Sequence, residues 1–67
     1  MKIELWLFNS VTNKQKLDVD VPAIPRIGEG IMIGDIQNYI VKDVIHRFDD
    51  EGQLTRITVD AWAPPRK

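Results

Sequence analysis

Few side chains in this chain are suited to chemistry. His46 is the single histidine, and its ordinary pKa lies near neutrality, where a general base is useful. Asp43, Asp49 and Asp50 surround it in sequence, so a histidine–carboxylate pair can be drawn. No nucleophile motif accompanies it: Ser10, Thr12, Thr55 and Thr58 fall in turn-forming or alternating stretches. There are no cysteines, which removes disulfides and thiolate metal sites. Zinc on one histidine would need three carboxylates or a second chain. The expectation is no catalytic residue, no metal, no cofactor and no small-molecule substrate. His46 is read as a rim residue of a barrel too small to enclose a useful pocket.

A second set of residues is aromatic and cationic. Trp6 and Phe8 alternate with Leu5 and Leu7, and Trp62 follows Ala61, so the aromatic rings fall on the side opposite the aliphatic core. Tryptophan is enriched among the residues that anchor protein interfaces. Trp6, Phe8, Ile45 and Trp62 are therefore the candidate interface residues. Lys42, Arg47 and Arg56 share the outward face, and aromatics interleaved with cations also form stacking platforms for nucleic acid. Against that alternative, Asp18, Asp20, Asp43 and Asp60 point outward too. Nine basic and ten acidic residues leave a net charge of −1 with no basic stripe of the kind that grips phosphates.

The elements that must position these groups follow from period-two alternation, the mark of strands with one wet face. "KIELWLF" (Lys2–Phe8) places Ile3, Leu5 and Leu7 on one side, and "KLDVDV" (Lys16–Val21) places Leu17, Val19 and Val21 on one side. The turn-rich "NSVTNKQ" between them predicts a hairpin. Pro22 and Pro25 then remove two ladder donors and force an extended, unpaired crossing, which Ile24 and Ile27 hold down on the core. Arg26 is placed to pair with Glu29 or with an outward aspartate, a weak pair at an exposed site. Gly28 and Gly30 re-aim the chain into a short strand, Gly30–Gly34, that ends at a turn at Gly34-Asp35. One helical turn near Asp35–Asn38 is allowed; no longer helix is.

"QNYIVKDVIHRF" (Gln37–Phe48) is a long strand whose alternation slips at Lys42-Asp43. A β-bulge there restores Tyr39, Val41, Val44, His46 and Phe48 to one face and keeps Asp43 out of the core. "DDEG" (Asp49–Gly52) reads as a four-residue hairpin loop on a type I turn with a left-handed glycine. It pairs Val44 with Ile57 and His46 with Thr55; a three-residue loop would instead bring Ile45 inside. The last strand, residues 54–62, turns Ile57, Val59 and Ala61 inward.

Strands at about 2–8, 16–21, 30–34, 37–48 and 54–62 predict an all-β, five-stranded, half-open barrel, or two orthogonal sheets, in one domain (1–67) with an extended tail at 63–67. The carriers Pro25-Arg26-x-Gly28-Glu29, Tyr39-x-Val41-x-x-Val44-x-His46, the acidic turn with glycine, and Ile57-x-Val59 resemble small SH3-like barrels of bacteria and phages over residues 22–62. In outline they are similar to the barrel core of phage head–tail joining proteins, without the long loops of those proteins. An OB-fold would need a helix where only Gly34–Asn38 is free. The outward aromatics and the missing nucleophile motif point to a non-enzymatic protein-interaction module that self-associates or docks on a larger assembly, and the resemblance implies a phage or mobile-element origin for it. A nucleic-acid-binding barrel is the alternative. With 67 residues and no disulfide, oligomerisation is the remaining means of extra stabilisation. No apolar run is long enough to span a membrane. "MKIEL" does not read as a signal peptide, so a cytoplasmic or other intracellular location is expected.

Overall fold

The computed structural model describes residues 1–34 and 37–64. Within them the chain forms β1 (Lys2–Phe8), β2 (Lys14–Asp20), β3 (Gly30–Ile33), β4 (Gln37–Phe48) and β5 (Leu54–Trp62). They make one sheet in the order β2-β1-β5-β4-β3, curled into a half-barrel, the all-β architecture expected of a small SH3-like barrel. β2 starts and stops earlier than the alternation alone indicates, because Asn9 and Asn13 already close the hairpin: the Asn9 N–H donates to the Asn13 carbonyl at 2.9 Å. Gln37 and Asn38 belong to β4, not to a helical turn. Asp35, Ile36 and the end of the expected tail (65–67) lie outside the described residues.

The middle of the sheet is a parallel pair, β1 with β5, from Glu4 opposite Thr58 to Phe8 opposite Trp62. Hairpins join the remaining neighbours, and antiparallel ladders connect β1 to β2, β3 to β4 and β4 to β5. On the concave side Ile3, Leu5, Leu7, Tyr39, Val41, Ile57, Val59 and Ala61 are buried together. At roughly 25 cal/mol per Å² of apolar area, this cluster is the main force holding a chain of this size folded.

The proline-bounded crossing closes the core from above. Val21 and Ile24 pack on the cluster. Val41 is held through both of its backbone groups, accepting from the Gly28 N–H and donating to the Glu29 carbonyl, each at 2.9 Å. Gly28 makes the turn possible with φ 94°, a value that side chains with a Cβ rarely adopt. Glu29 accepts the Arg26 backbone N–H at 2.6 Å, so its carboxylate fastens the turn through the main chain.

Two bulges set the register of the long hairpin. The first falls between Val41 and Asp43, as the broken alternation requires, and leaves Lys42 as the extra residue. The second was not anticipated. The Asp49 N–H donates to the Gln53 carbonyl at 2.9 Å and the Gly52 N–H to the Asp49 carbonyl at 3.0 Å. The loop is therefore the three residues 50–52, with Gly52 at φ 83°. Thr55 is then skipped between Arg56 opposite Arg47 and Leu54 opposite Phe48. Val44 consequently faces Val59 instead of Ile57, and His46 faces Ile57 instead of Thr55. The shorter loop alone would turn Ile45 inward; the Thr55 bulge cancels that inversion.

Candidate functional site

The outward face of the sheet gathers most of the expected site residues into rows. Lys14, Phe8, Trp62 and Ile40 form one row; Lys16, Trp6, Asp60 and Asp43 the next; Asp18, Glu4, Thr58 and Ile45 a third. The parallel pair stacks Phe8 on Trp62, with ring centroids 4.5 Å apart and planes 7° from parallel. The Lys14 ammonium lies over both Trp6 (5.7 Å) and Phe8 (6.0 Å), a cation–π arrangement worth about 0.5–1 kcal/mol at an exposed site. The Trp6 indole N–H donates to Glu4 Oε1 at 2.9 Å. Trp6, Phe8, Ile45 and Trp62 are all half-buried. The structure thus brings the four interface candidates to one face, where much of their surface is already used within the chain.

The cations proposed for nucleic acid share that face with carboxylates. Arg47 and Arg56 stand directly opposite each other. Arg56 Nη1 lies 3.4 Å from Glu4 Oε2 and Lys16 Nζ 3.8 Å from the same oxygen. Lys42 is the exposed bulge residue. Glu4 is held below its usual carboxylate range, first by the Trp6 hydrogen bond and then by Lys16 and Arg56, against its partial desolvation. Asp60 is pushed up by burial and by Asp43 opposite it, with Arg47 pulling the other way. Beside it the Thr58 hydroxyl is buried without a hydrogen-bond partner among the described residues.

Among the described residues no carboxylate pairs with His46. Asp43 sits across from Asp60 on the outward face, and Asp49 Oδ1 accepts the Glu51 and Gln53 backbone N–H groups, each at 2.9 Å. That carboxylate builds the turn.

The other surface lies on the inward side of the hairpin, beyond the core. Ile24, Pro25, Arg26, Ile27, Val44 and His46 line an open groove of about 620 Å³. Two residues along β4 from His46 comes Phe48, directly opposite Leu54. Ile27 is 67 % exposed, Phe48 60 % and Leu54 51 %. His46 and Phe48 lie on the core's side of the sheet, where the bulged alternation puts them, and both are exposed. Ile27, expected with Ile24 to hold the crossing down on the core, instead stands exposed in the groove wall while Ile24 alone of the two packs on the cluster, and Leu54 was not among the expected interface residues. The available signal was that the hairpin outruns β1, whose pairing with β5 begins only at Glu4 opposite Thr58.

No protein-family model, curated protein or solved structure matches this chain, so the functional reading is drawn from the geometry. No helix among the described residues is long and apolar enough to cross a membrane.

Proposed function

We propose that this chain is a non-enzymatic protein-interaction module. It docks a partner on the inward face of the distal β4–β5 hairpin and the groove beside it. The observation that carries this reading is Phe48 paired with Leu54, both more than half exposed and continuous through His46 with a groove walled by Ile24, Ile27 and Val44. An apolar strip of that kind, rimmed by Arg26 and the acidic turn, is the usual form of a docking site. The partner chemistry it fits is an apolar-rich peptide segment with a basic flank facing Asp49, Asp50 and Glu51.

The outward aromatic face supports the earlier candidates less well, because its rings are stacked, capped or hydrogen-bonded within the chain. Its cations are interleaved with Glu4, Asp18, Asp43 and Asp60, which weakens the case for phosphate binding.

The test is selection of peptides from a random library, followed by NMR mapping of the bound peptide on isotope-labelled protein. Apolar-rich peptides should perturb Ile24, Ile27, Val44, Phe48 and Leu54. Perturbations confined to Trp6, Phe8 and Trp62, or a response only to single-stranded oligonucleotide, would overturn the assignment.

A further inference from the structure

We infer that β2 is a self-complementary edge through which two copies of this chain join into one continuous sheet. The surface is separate from the hairpin strip, and the inference does not depend on it. Among the described residues β2 ends the strand order, with β1 as its single neighbour. It is seven residues long, free of proline and glycine, and exposed at Lys14, Gln15, Lys16, Asp18 and Asp20. A strand in that position presents a row of unused N–H and C=O groups.

Which groups are unused follows from the ladder. The Asn9 N–H donates to Asn13 and the Val21 N–H to Met1, in the register that pairs β1 with β2. Bonded pairs alternate in an antiparallel ladder. The odd residues Gln15, Leu17 and Val19 therefore spend their backbone groups on β1. Lys14, Lys16, Asp18 and Asp20 aim theirs at the open edge. Any antiparallel partner strand must bond to these four.

Those four residues carry charges in the order plus, plus, minus, minus. A two-fold axis at Leu17 sets Lys16 against Asp18 of the second copy and Lys14 against Asp20, on both sides of the axis. Every edge-bonding residue then meets its opposite charge, and Leu17 meets Leu17 at the centre as a non-bonded pair. Moving the axis to Lys16 or to Asp18 sets two like charges face to face, which is destabilising in a cross-strand pair. Charge order thus selects one partner, a second copy, and one register.

The present contacts of these side chains permit the pairing. Lys16 is 3.8 Å from the half-buried Glu4 and Asp20 is 2.7 Å from the Met1 amino group. Lys16, Asp20 and Met1 are exposed, and pairs that reach the surface in this way are weak. The opposing edge, β3, has four residues and no charge, so nothing in it specifies a register. Side chains directly opposite in an antiparallel pair share a face. The dimer therefore carries both aromatic faces on one side and both concave faces on the other.

Sedimentation equilibrium tests the inference. A ribbon contact is at the low end of interface sizes, so a dimer with Kd of about 10–100 µM at low salt is expected, weakening several-fold at high salt. Two charge-reversed variants, K14E/K16E and D18K/D20K, should each associate at least ten-fold more weakly than the parent. Mixed in equal amounts they should form a heterodimer at least as tight as the parent. K16P removes an edge donor but no bond to β1; it should stay folded by circular dichroism and lose the dimer, which guards against misfolded reversal variants. F48S/L54S should leave the dimer constant unchanged, which separates this surface from the hairpin strip. A parent that stays monomeric at about 500 µM, well above the Kd expected of so small an interface, would overturn the inference. So would a dimer indifferent to the charge reversals and to K16P, or the absence of a heterodimer in the mixture.

Discussion

The two ends of the β4–β5 hairpin carry the same alternation and meet different environments. At the near end Val41 and Val59 are fully buried, covered by β1 across the sheet and by the crossing that bonds to Val41. At the far end Phe48 and Leu54 occupy the same side of the same two strands and remain more than half exposed. Alternation decides which face a side chain takes; burial depends on whether another segment lies over that face. Here the crossing covers one end and stops at Ile27. The far end is left apolar without contributing to the core, and the proposed docking rests on that exposure.

The sharpest way to break this comparison is to put a charge at each end. Val59→Asp buries an unpaired carboxylate and should cost more than about 4 kcal/mol, an exceptional loss for one substitution. A domain of this length has a stability of order 3–10 kcal/mol, so the variant should be largely unfolded by circular dichroism. Phe48→Asp should stay within about 0.5 kcal/mol of the parent in urea denaturation, as exposed positions usually do. Comparable losses at the two ends would show that the far end is part of the core.

A smaller effect is expected at the tip, where local geometry holds the strands together. Gly52 has φ 83° and open space around it, so a substitution there is penalised by the backbone alone. Gly52→Val should lower stability by about 1 kcal/mol or more, and Gly52→Asn clearly less, because asparagine visits that region more readily. Equal costs, compared in the same denaturation experiment, would argue that crowding and not backbone conformation governs the turn.

The smallest effect is electrostatic and lies on the outward face above the covered end. The folded chain holds the Asp60 proton more tightly than the unfolded chain, through burial and the facing Asp43. Its contribution therefore falls as pH rises from the ordinary 3.8 through the raised folded value. Glu4 has the opposite sign. Held below 4.5 by the Trp6 indole, Lys16 and Arg56, it stabilises above 4.5 and loses that contribution as pH falls through the lowered folded value. Asp60→Asn should raise Tm at neutral pH and leave it unchanged at pH 3; a lowered Tm at pH 7 would mean the carboxylate is held favourably.

Much of this arrangement is legible in the chain itself. The broken alternation at Lys42-Asp43 has one economical repair, a bulge, and that is where it lies. The glycine closing "DDEG" has the left-handed conformation its position demands. The register beyond that turn was not legible, because a three-residue loop with a bulge at Thr55 and a four-residue loop without one place the same side chains inward. Periodicity cannot separate registers that differ by two. The parallel β1–β5 pair was also out of reach, since strands so distant in sequence share no turn to specify them. With it went the Phe8–Trp62 stack, which exists because that pair sets the two rings side by side. The outward placement of Trp6, Phe8 and Trp62 was correctly read from alternation. How far each ring is satisfied within the chain depends on its neighbours on other strands.

The most direct test of docking at the far end is to separate stability from binding in one variant. F48S/L54S should unfold within about 0.5 kcal/mol of the parent, as exposed sites do. It should bind a library-selected apolar peptide at least ten-fold more weakly by isothermal titration calorimetry, a loss of about 1.4 kcal/mol or more. Unchanged peptide affinity in that folded variant would contradict the account.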